Sequence, residues 1–190
     1  MIQDLDDSLK ALLVQEVPLD PADIAITFEM PTHEWSAKLD PNRPTINLYL
    51  YDIRENVELR TSERYLTATD TGHQRQPAPT RIDFAYLISV WSKDIADEHR
   101  LLGQILSALL RFPELPQGVL QGSMQTQPFP LHAWIARPER VPNPWDFWGH
   151  VENRMKSALS YILTASIQPF ATEAVKLVAQ TQTTVHLKQP

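Results

Sequence analysis

The chain reads as an α+β domain: a mixed, mostly antiparallel sheet with helices packed on one side and an extended arm. Three observations predict this. Residues 81–91 alternate strictly, with Ile82, Phe84, Tyr86, Ile88 and Val90 on one face and Asp83 and Ser89 on the other. An apolar helical pattern follows at once, so the strand passes directly to the helix that covers it. Between residues 61 and 79 the only sizeable apolar side chains are Tyr65 and Leu66, among Thr, Asp, Gly, Gln and Pro, which is a long polar excursion for a compact domain.

Taken in order, Ile2, Leu5, Leu9, Leu12 and Leu13 recur at three- and four-residue steps. They predict an amphipathic helix over residues 2–16, with Asp4, Asp6 and Asp7 at its positive end and Pro18 beyond it. Residues 22–30 alternate Ile24, Ile26 and Phe28 against Ala25, Thr27 and Glu29, a strand with one buried face closed by Pro31. His33-Glu34-Trp35 is a short polar link whose aromatic serves packing. Residues 44–60 carry Ile46, Leu48 and Leu50 opposite Asn47, Tyr49 and Tyr51, after which the register changes. From Asp52 to Arg60 charges alternate, with Ile53, Val57 and Leu59 as apolar pins, so the segment is expected to leave the body and begin an arm over residues 52–79.

In the central helix, Asp94 is the expected N-cap, Asp97 and Glu98 sit near the positive end of the dipole, and Pro113 lies just past Arg111. Leu101, Leu102, Ile105, Leu106, Leu109 and Leu110 form one broad apolar stripe. Residues 114–130 read as a loop with a short strand near Val119 and Leu120, and residues 129–135 as a strand. Asn143 and Pro144 open an expected helix over residues 145–157 that buries Trp145, Trp148 and Met155. Residues 158–167 are the last strong strand, and residues 175–187 a weaker, Thr/Gln-rich strand for a sheet edge.

Composition narrows the function. At 190 residues the chain suits a single domain, 43% hydrophobic and 21% charged, and so not globally disordered. No apolar run approaches the ~20 residues of a membrane span and the N-terminal stretch is acidic, so synthesis in the cytoplasm without membrane insertion is expected. The absence of cysteine excludes disulfides, thiolate catalysis and thiolate metal sites. A net charge of −6 disfavours nucleic acid as the main partner. Residues 1–60 hold 12 acidic and 5 basic side chains, residues 61–190 hold 11 and 12, an asymmetry suited either to head-to-tail association or to a merely solvated acidic surface. Sixteen prolines against five glycines give stiff loops.

No catalytic signature is present, and no cofactor or metal is expected. His33, His73, His99, His132, His150 and His186 are scattered, and no pair has the helical spacing that aims two imidazoles at one metal. Asp97-Glu98-His99 are adjacent helix residues pointing in different directions, which fits a solvated first turn. There is no Gly-rich phosphate loop and no Gly-x-Ser-x-Gly elbow. Trp145 and Trp148 lack the interleaved basic residues of a base-stacking platform. An interaction protein remains, with a small enzyme as the rival from another class.

Several stretches carry a family resemblance: Ile2-x-Asp4-Leu5-Asp6-Asp7-Ser8-Leu9-Lys10-Ala11-Leu12-Leu13, Pro44 through Leu50-Tyr51-Asp52-Ile53-Arg54-Glu55-Asn56 to Arg60, Arg81 to Trp91, Asp97-Glu98-His99-Arg100-Leu101-Leu102, and Trp145 through Ser160-Tyr161-Ile162-Leu163-Thr164. In these the chain resembles the cap, or tail-terminator, proteins of extracellular contractile injection systems of the anti-feeding-prophage and virulence-cassette type, some of which carry a further C-terminal region. The resemblance implies a tail-terminator-like fold and a homohexameric ring on the last layer of inner tube protein and sheath protein, stopping tube growth. The particle would then be released, cytoplasmic or membrane-attached. A tail terminator or neck connector of a contractile phage is the alternative with the same ring geometry. Asp52, Arg54, Glu55, Asn56, Glu58 and Arg60 are the expected protomer or tube interface, and Val175, Leu177, Val185 and Leu187 the expected sheath contact.

Overall fold

A computed structural model describes residues 1–17, 20, 22–69, 72–136, 147–149 and 155–175. The elements are α1 (Ile2–Glu16), β1 (Ala25–Thr27), α2 (His33–Ser36), β2 (Thr45–Glu55), β3 (Arg64–Thr69), β4 (Gly72–Pro77), β5 (Thr80–Trp91), α3 (Ile95–Leu110), β6 (His132–Ile135), β7 (Ala158–Ile167) and β8 (Glu173–Val175), with 3-10 turns at Val57–Leu59, Gln117–Val119 and Gly122–Thr126. A five-stranded sheet runs β1-β2-β5-β7-β6, and a second, three-stranded sheet runs β3-β4-β8. Only the β1–β2 pair is parallel, so the larger sheet is mixed and mostly antiparallel, as expected.

The period-2 pattern of β5 is realised directly. Phe84, Tyr86, Ile88 and Val90 are buried against Ile46 and Leu48 of β2, Tyr161 and Leu163 of β7, and the inner faces of α1 and α3. α1 contributes Leu5, Leu9, Leu12 and Leu13, each at most 1% exposed. Burying such a side chain contributes about 1.5–3 kcal/mol, so a few of them outweigh any intrinsic helix preference. α3 begins where Asp94 Oδ1 accepts from the Ala96 N–H at 2.9 Å. At its far end Arg111 donates to the Glu16 carbonyl at 3.0 Å and to its carboxylate at 3.1 Å, tying the two helix ends together.

Several expectations change. The strand at residues 22–30 shrinks to β1, because Asp20 draws the chain into a turn: its carboxylate accepts from Ala22 N–H and its carbonyl from Asp23 and Ile24. No strand forms near Val119 and Leu120; both are buried, but in and beside a 3-10 turn. The strand expected at 129–135 starts at His132, since Pro128 and Pro130 cannot donate to a ladder. Of the helix expected at 145–157, residues 147–149 are helical and 155–157 are neither helix nor strand; Met155 is 51% exposed rather than buried, and Trp145 lies outside the described residues. Trp148 is buried, on the sheet face opposite α1 and α3, against Leu87. Trp35 of α2 packs edge-on against Trp91, as a packing residue should.

The excursion also differs from its expected bounds. Residues 52–55 do not leave the body: they stay paired with β5, and the chain departs at Asn56. What looked like a polar flap over residues 61–79 is a β-hairpin, β3–β4, because Tyr65, Leu66, Thr67 and Thr69 favour extended backbone and cross-strand pairing satisfies it.

Candidate functional site

The site is built from an irregularity in β2. Ile46, Leu48 and Leu50 pair with Val90, Ile88 and Tyr86, but the register slips between Leu50 and Asp52, leaving Tyr51 as the extra residue of a bulge. Because side chains alternate faces, one extra residue exchanges the faces of everything after it. Asp52 and Arg54 therefore lie opposite Ala85 and Asp83, on the face away from α1 and α3, while Ile53 and Glu55 lie opposite Phe84 and Ile82. Without the slip Asp52 would follow Leu50 onto the helix-covered face, where a charge is costly. A cavity of 270 Å³ opens here, lined by Asp52, Arg54, Glu55, Val57 and Asp83 among others.

The charges of this segment largely satisfy one another. Asp52 pairs with Arg54. Arg60 grips Glu55 in a fork, Nε to Oε1 at 2.6 Å and an Nη to Oε2 at 2.5 Å. That grip holds the Glu55 carboxyl below the usual range and the Arg60 guanidinium above its own. Asn56 departs from a contact role, being 5% exposed. Its Nδ2 donates to Asp83 Oδ1 at 3.0 Å, and its Oδ1 accepts from the Leu59 N–H at 3.1 Å, capping the 3-10 turn. Thr164 completes the knot by donating to Asp83 Oδ1 at 2.7 Å. Glu58 lies exposed on the turn. The apolar residues expected to pin the segment are instead open to solvent: Ile53 at 49%, Val57 at 65% and Leu59 at 43%.

Beyond the turn the hairpin stands clear. Every residue of β3 is exposed, including Tyr65 and Leu66, and among the described residues β3 is an edge of its sheet. On its other side β4 pairs with β8, supported by Arg75 to Glu173 at 3.1 Å and by Gln76 Nε2 to the Phe170 carbonyl at 2.9 Å. Of the large apolar side chains exposed among the described residues, Ile53, Val57, Leu59, Tyr65 and Leu66 fall within one stretch of chain. A strand carrying aromatic and aliphatic groups, with no proline or bulge to guard its edge, is built to be covered. Of the expected sheath contact, Val175 is the last residue of β8, paired with His73, and Leu177, Val185 and Leu187 lie outside the described residues.

A second surface was not read from the sequence. The α3 stripe is narrower than its leucines suggest: Leu101, Ile105 and Leu109 are buried, whereas Leu102 and Leu106 are half-buried and Leu110 is 61% exposed. With Ile95, 62% exposed, the outer leucines form a second stripe at helical spacing. Glu98, expected in a solvated turn, is buried. It accepts from the Ser92 N–H at 3.0 Å and pairs with Lys156, whose ammonium lies 4.6 Å from the centre of the Trp91 ring. Around them is a groove of 390 Å³ walled by Ile95, Leu102 and Met155. The signal was the position of Ile95, Leu102, Leu106 and Leu110 one step around the helix from the core set.

Among the described residues no three His, Asp or Glu side chains converge on a metal position, and no helix is long and apolar enough to cross a membrane. A family model described as the Pvc16 N-terminal domain matches residues 4–180. No curated protein matches the sequence. Among solved structures, the fold is similar to the sheath/tube terminator of an extracellular contractile injection system (PVC) in its extended state, at TM-score 0.75 and 23% identity over 100% of this chain and 64% of that one. It is also similar to the tube-terminating cap of the anti-feeding prophage, at TM-score 0.70 and 22% identity over 97% of this chain and 62% of that one. The chain thus spans less than two thirds of the length of either.

Proposed function

The chain belongs to the Pvc16 N-terminal domain family, and on that premise we propose that it is a structural cap, closing into a homohexameric ring on the end of the inner tube and sheath of a contractile injection system. The observation that carries this reading is the fold similarity, over the whole chain, to a sheath/tube terminator. The physics is occlusion. A protomer that pairs with the exposed filament end but offers no matching surface on its far side blocks the next subunit, and closure into a ring makes individually weak contacts act together. It performs no reaction and needs no cofactor, nucleic acid or membrane insertion.

Residues 52–60 with the β3–β4 hairpin serve as the element that meets a neighbouring protomer or the tube. The bulge in β2 supports this, since it aims Asp52 and Arg54 away from the helix-covered core, as does the exposure of β3 on both faces. Val175 and the segment after it serve the sheath by adding a strand at a sheet edge. Negative-stain imaging of the purified protein mixed with tube and sheath tests the reading. Ring density at one end of tubes, with uniform particle length, is expected. Unassociated protein beside intact tubes, or particles of uniform length without it, would overturn it. Loss of residues 175–190 is expected to release sheath while leaving the ring on the tube.

A further inference from the structure

We infer that β3, β4 and β8 form one leaf that swings about a hinge, and that docking on a filament end fixes its orientation. Only the docking step rests on the ring proposed above; the hinge does not. The leaf continues the larger sheet. β2 leads into β3, β4 into β5 and β7 into β8, so the order β3-β4-β8 repeats β2-β5-β7. All three strands break at one level. Between the pairs Arg64–Pro77 and Glu55–Ile82, four residues of the central strand (78–81) face eight of its neighbour (56–63). Between the pairs Arg75–Glu173 and Thr80–Ile167, four residues (76–79) face five (168–172). An unbroken ladder needs equal numbers on both strands, so the flanking crossings carry slack and the short central one is the pivot.

Burial marks the same division. Ala78 and Pro79 at the pivot are buried, whereas residues 60–63 and 168–172 are exposed throughout. Pro77 and Pro79 have no N–H to carry the ladder across, and their φ, held near about −65°, leaves few torsions to turn, so the swing is limited in range. Neither buried apolar cluster takes in a side chain of the leaf. Among the described residues no hydrogen bond or ion pair joins β3, β4 or β8 directly to a strand or helix of the body. The ties across the break are exposed and polar: Gln168 Nε2 donates to the Pro77 carbonyl at 2.9 Å, Gln76 Nε2 to the Phe170 carbonyl at 2.9 Å, and Arg60 grips Glu55. Two bodies that share no apolar interface move relative to each other by default. With six-residue strands the leaf is ~20 Å long, so a turn of about 15° carries its tip by about 5 Å.

The absence of cysteine permits a direct test by paired nitroxide labels on the full chain. Thr67→Cys with Lys10→Cys spans leaf and body, and Lys10→Cys with Ser107→Cys lies within the body; all three side chains are exposed. In the protein alone, the leaf–body distance distribution is expected to be roughly twice as wide as the body one or more, and Arg60→Ala, which frees Glu55, should widen it further. Thr67→Cys with Ala174→Cys, both in the leaf, should keep one fixed separation, which distinguishes a rigid swing from fraying. Beside tube and sheath the leaf–body distribution should narrow to one peak. A leaf–body distribution as narrow as the body control, or a leaf pair that is itself broad, overturns the hinge and leaves the ring reading intact. Capped tubes on which the leaf–body distribution stays broad overturn the docking step. A broad distribution beside tubes that remain uncapped overturns the ring reading and upholds the hinge.

Discussion

Asn56 shows how one side chain can set the geometry of a whole projection. It sits where the chain leaves the sheet, its backbone N–H donating to the Arg81 carbonyl at 2.9 Å while its amide joins Asp83 to the turn. Asn56→Leu removes those partners from a buried carboxylate and an N–H, and is expected to cost about 1–3 kcal/mol by denaturant unfolding. A similar residue-scale clasp holds the start of α1. Asp4 accepts from the Ser123 hydroxyl and backbone N–H and faces the N-terminal ammonium, which together hold its carboxyl at about 2 against an ordinary 3.8. The folded value lies below the unfolded one, so this stabilisation is complete above about pH 4 and fades as the pH falls toward 2. The difference in thermal midpoint between the parent chain and Asp4→Asn should follow the same course, being largest above pH 4. Gly122 is bound into this clasp: at φ +50° it is in the left-handed region, and an added Cβ would fall 2.6 Å from the Asp4 carboxyl. Gly122→Ala should therefore loosen the contact between α1 and its 3-10 turn.

At the scale of elements, α3 carries two apolar stripes, one buried and one largely open to solvent. Ile105, fully buried against β5, is expected to cost about 2–5 kcal/mol on truncation to Ala. Leu110→Ala, on the outer stripe, should change stability by no more than ~0.5 kcal/mol. Urea unfolding of the two variants separates them, and equal losses would show that the outer stripe is part of the core after all. The hairpin is likewise an appended element. Its base is closed by Ala78 N–H to the Glu63 carbonyl at 3.0 Å, so Arg64–Thr69 and Gly72–Pro77 can be replaced by a two-residue turn without parting the ends of β2 and β5.

For the whole molecule, excision of the hairpin is expected to leave a folded monomer that forms no rings and caps no tubes, measured by light scattering and by tube length. Unchanged capping would remove the hairpin from the function. The internal pairing of Asp52 with Arg54 and of Glu55 with Arg60 carries a second consequence at this scale. With these charges paired within the chain, association is expected to survive a rise in ionic strength from ~0.1 M to ~1 M, which shortens the screening length from about 10 Å to 3 Å. Dissociation over that range would restore the charged segment as the principal contact.

Local chemistry was legible along the chain. Heptad-like leucines and the proline after them set α1 at residues 2–16, 158–167 stood out as the last strong strand and is β7, and Asp94 caps α3 as an N-terminal acid should. The motifs around Leu50 to Asn56 and Asp97 to Leu102 identified the family, and the change of register near Asp52 was visible as alternation giving way to charge. Tertiary structure decided the rest. Whether a leucine of α3 faces the core or a groove depends on how far the sheet reaches beneath the helix. Whether Arg54 and Arg60 await a partner or hold Asp52 and Glu55 depends on a bulge that turns Asp52 and Arg54 to the face away from the helices and on a turn that brings Arg60 back to Glu55. Spacing along a chain determines which side chains share a face, and only packing across the sheet determines what that face meets.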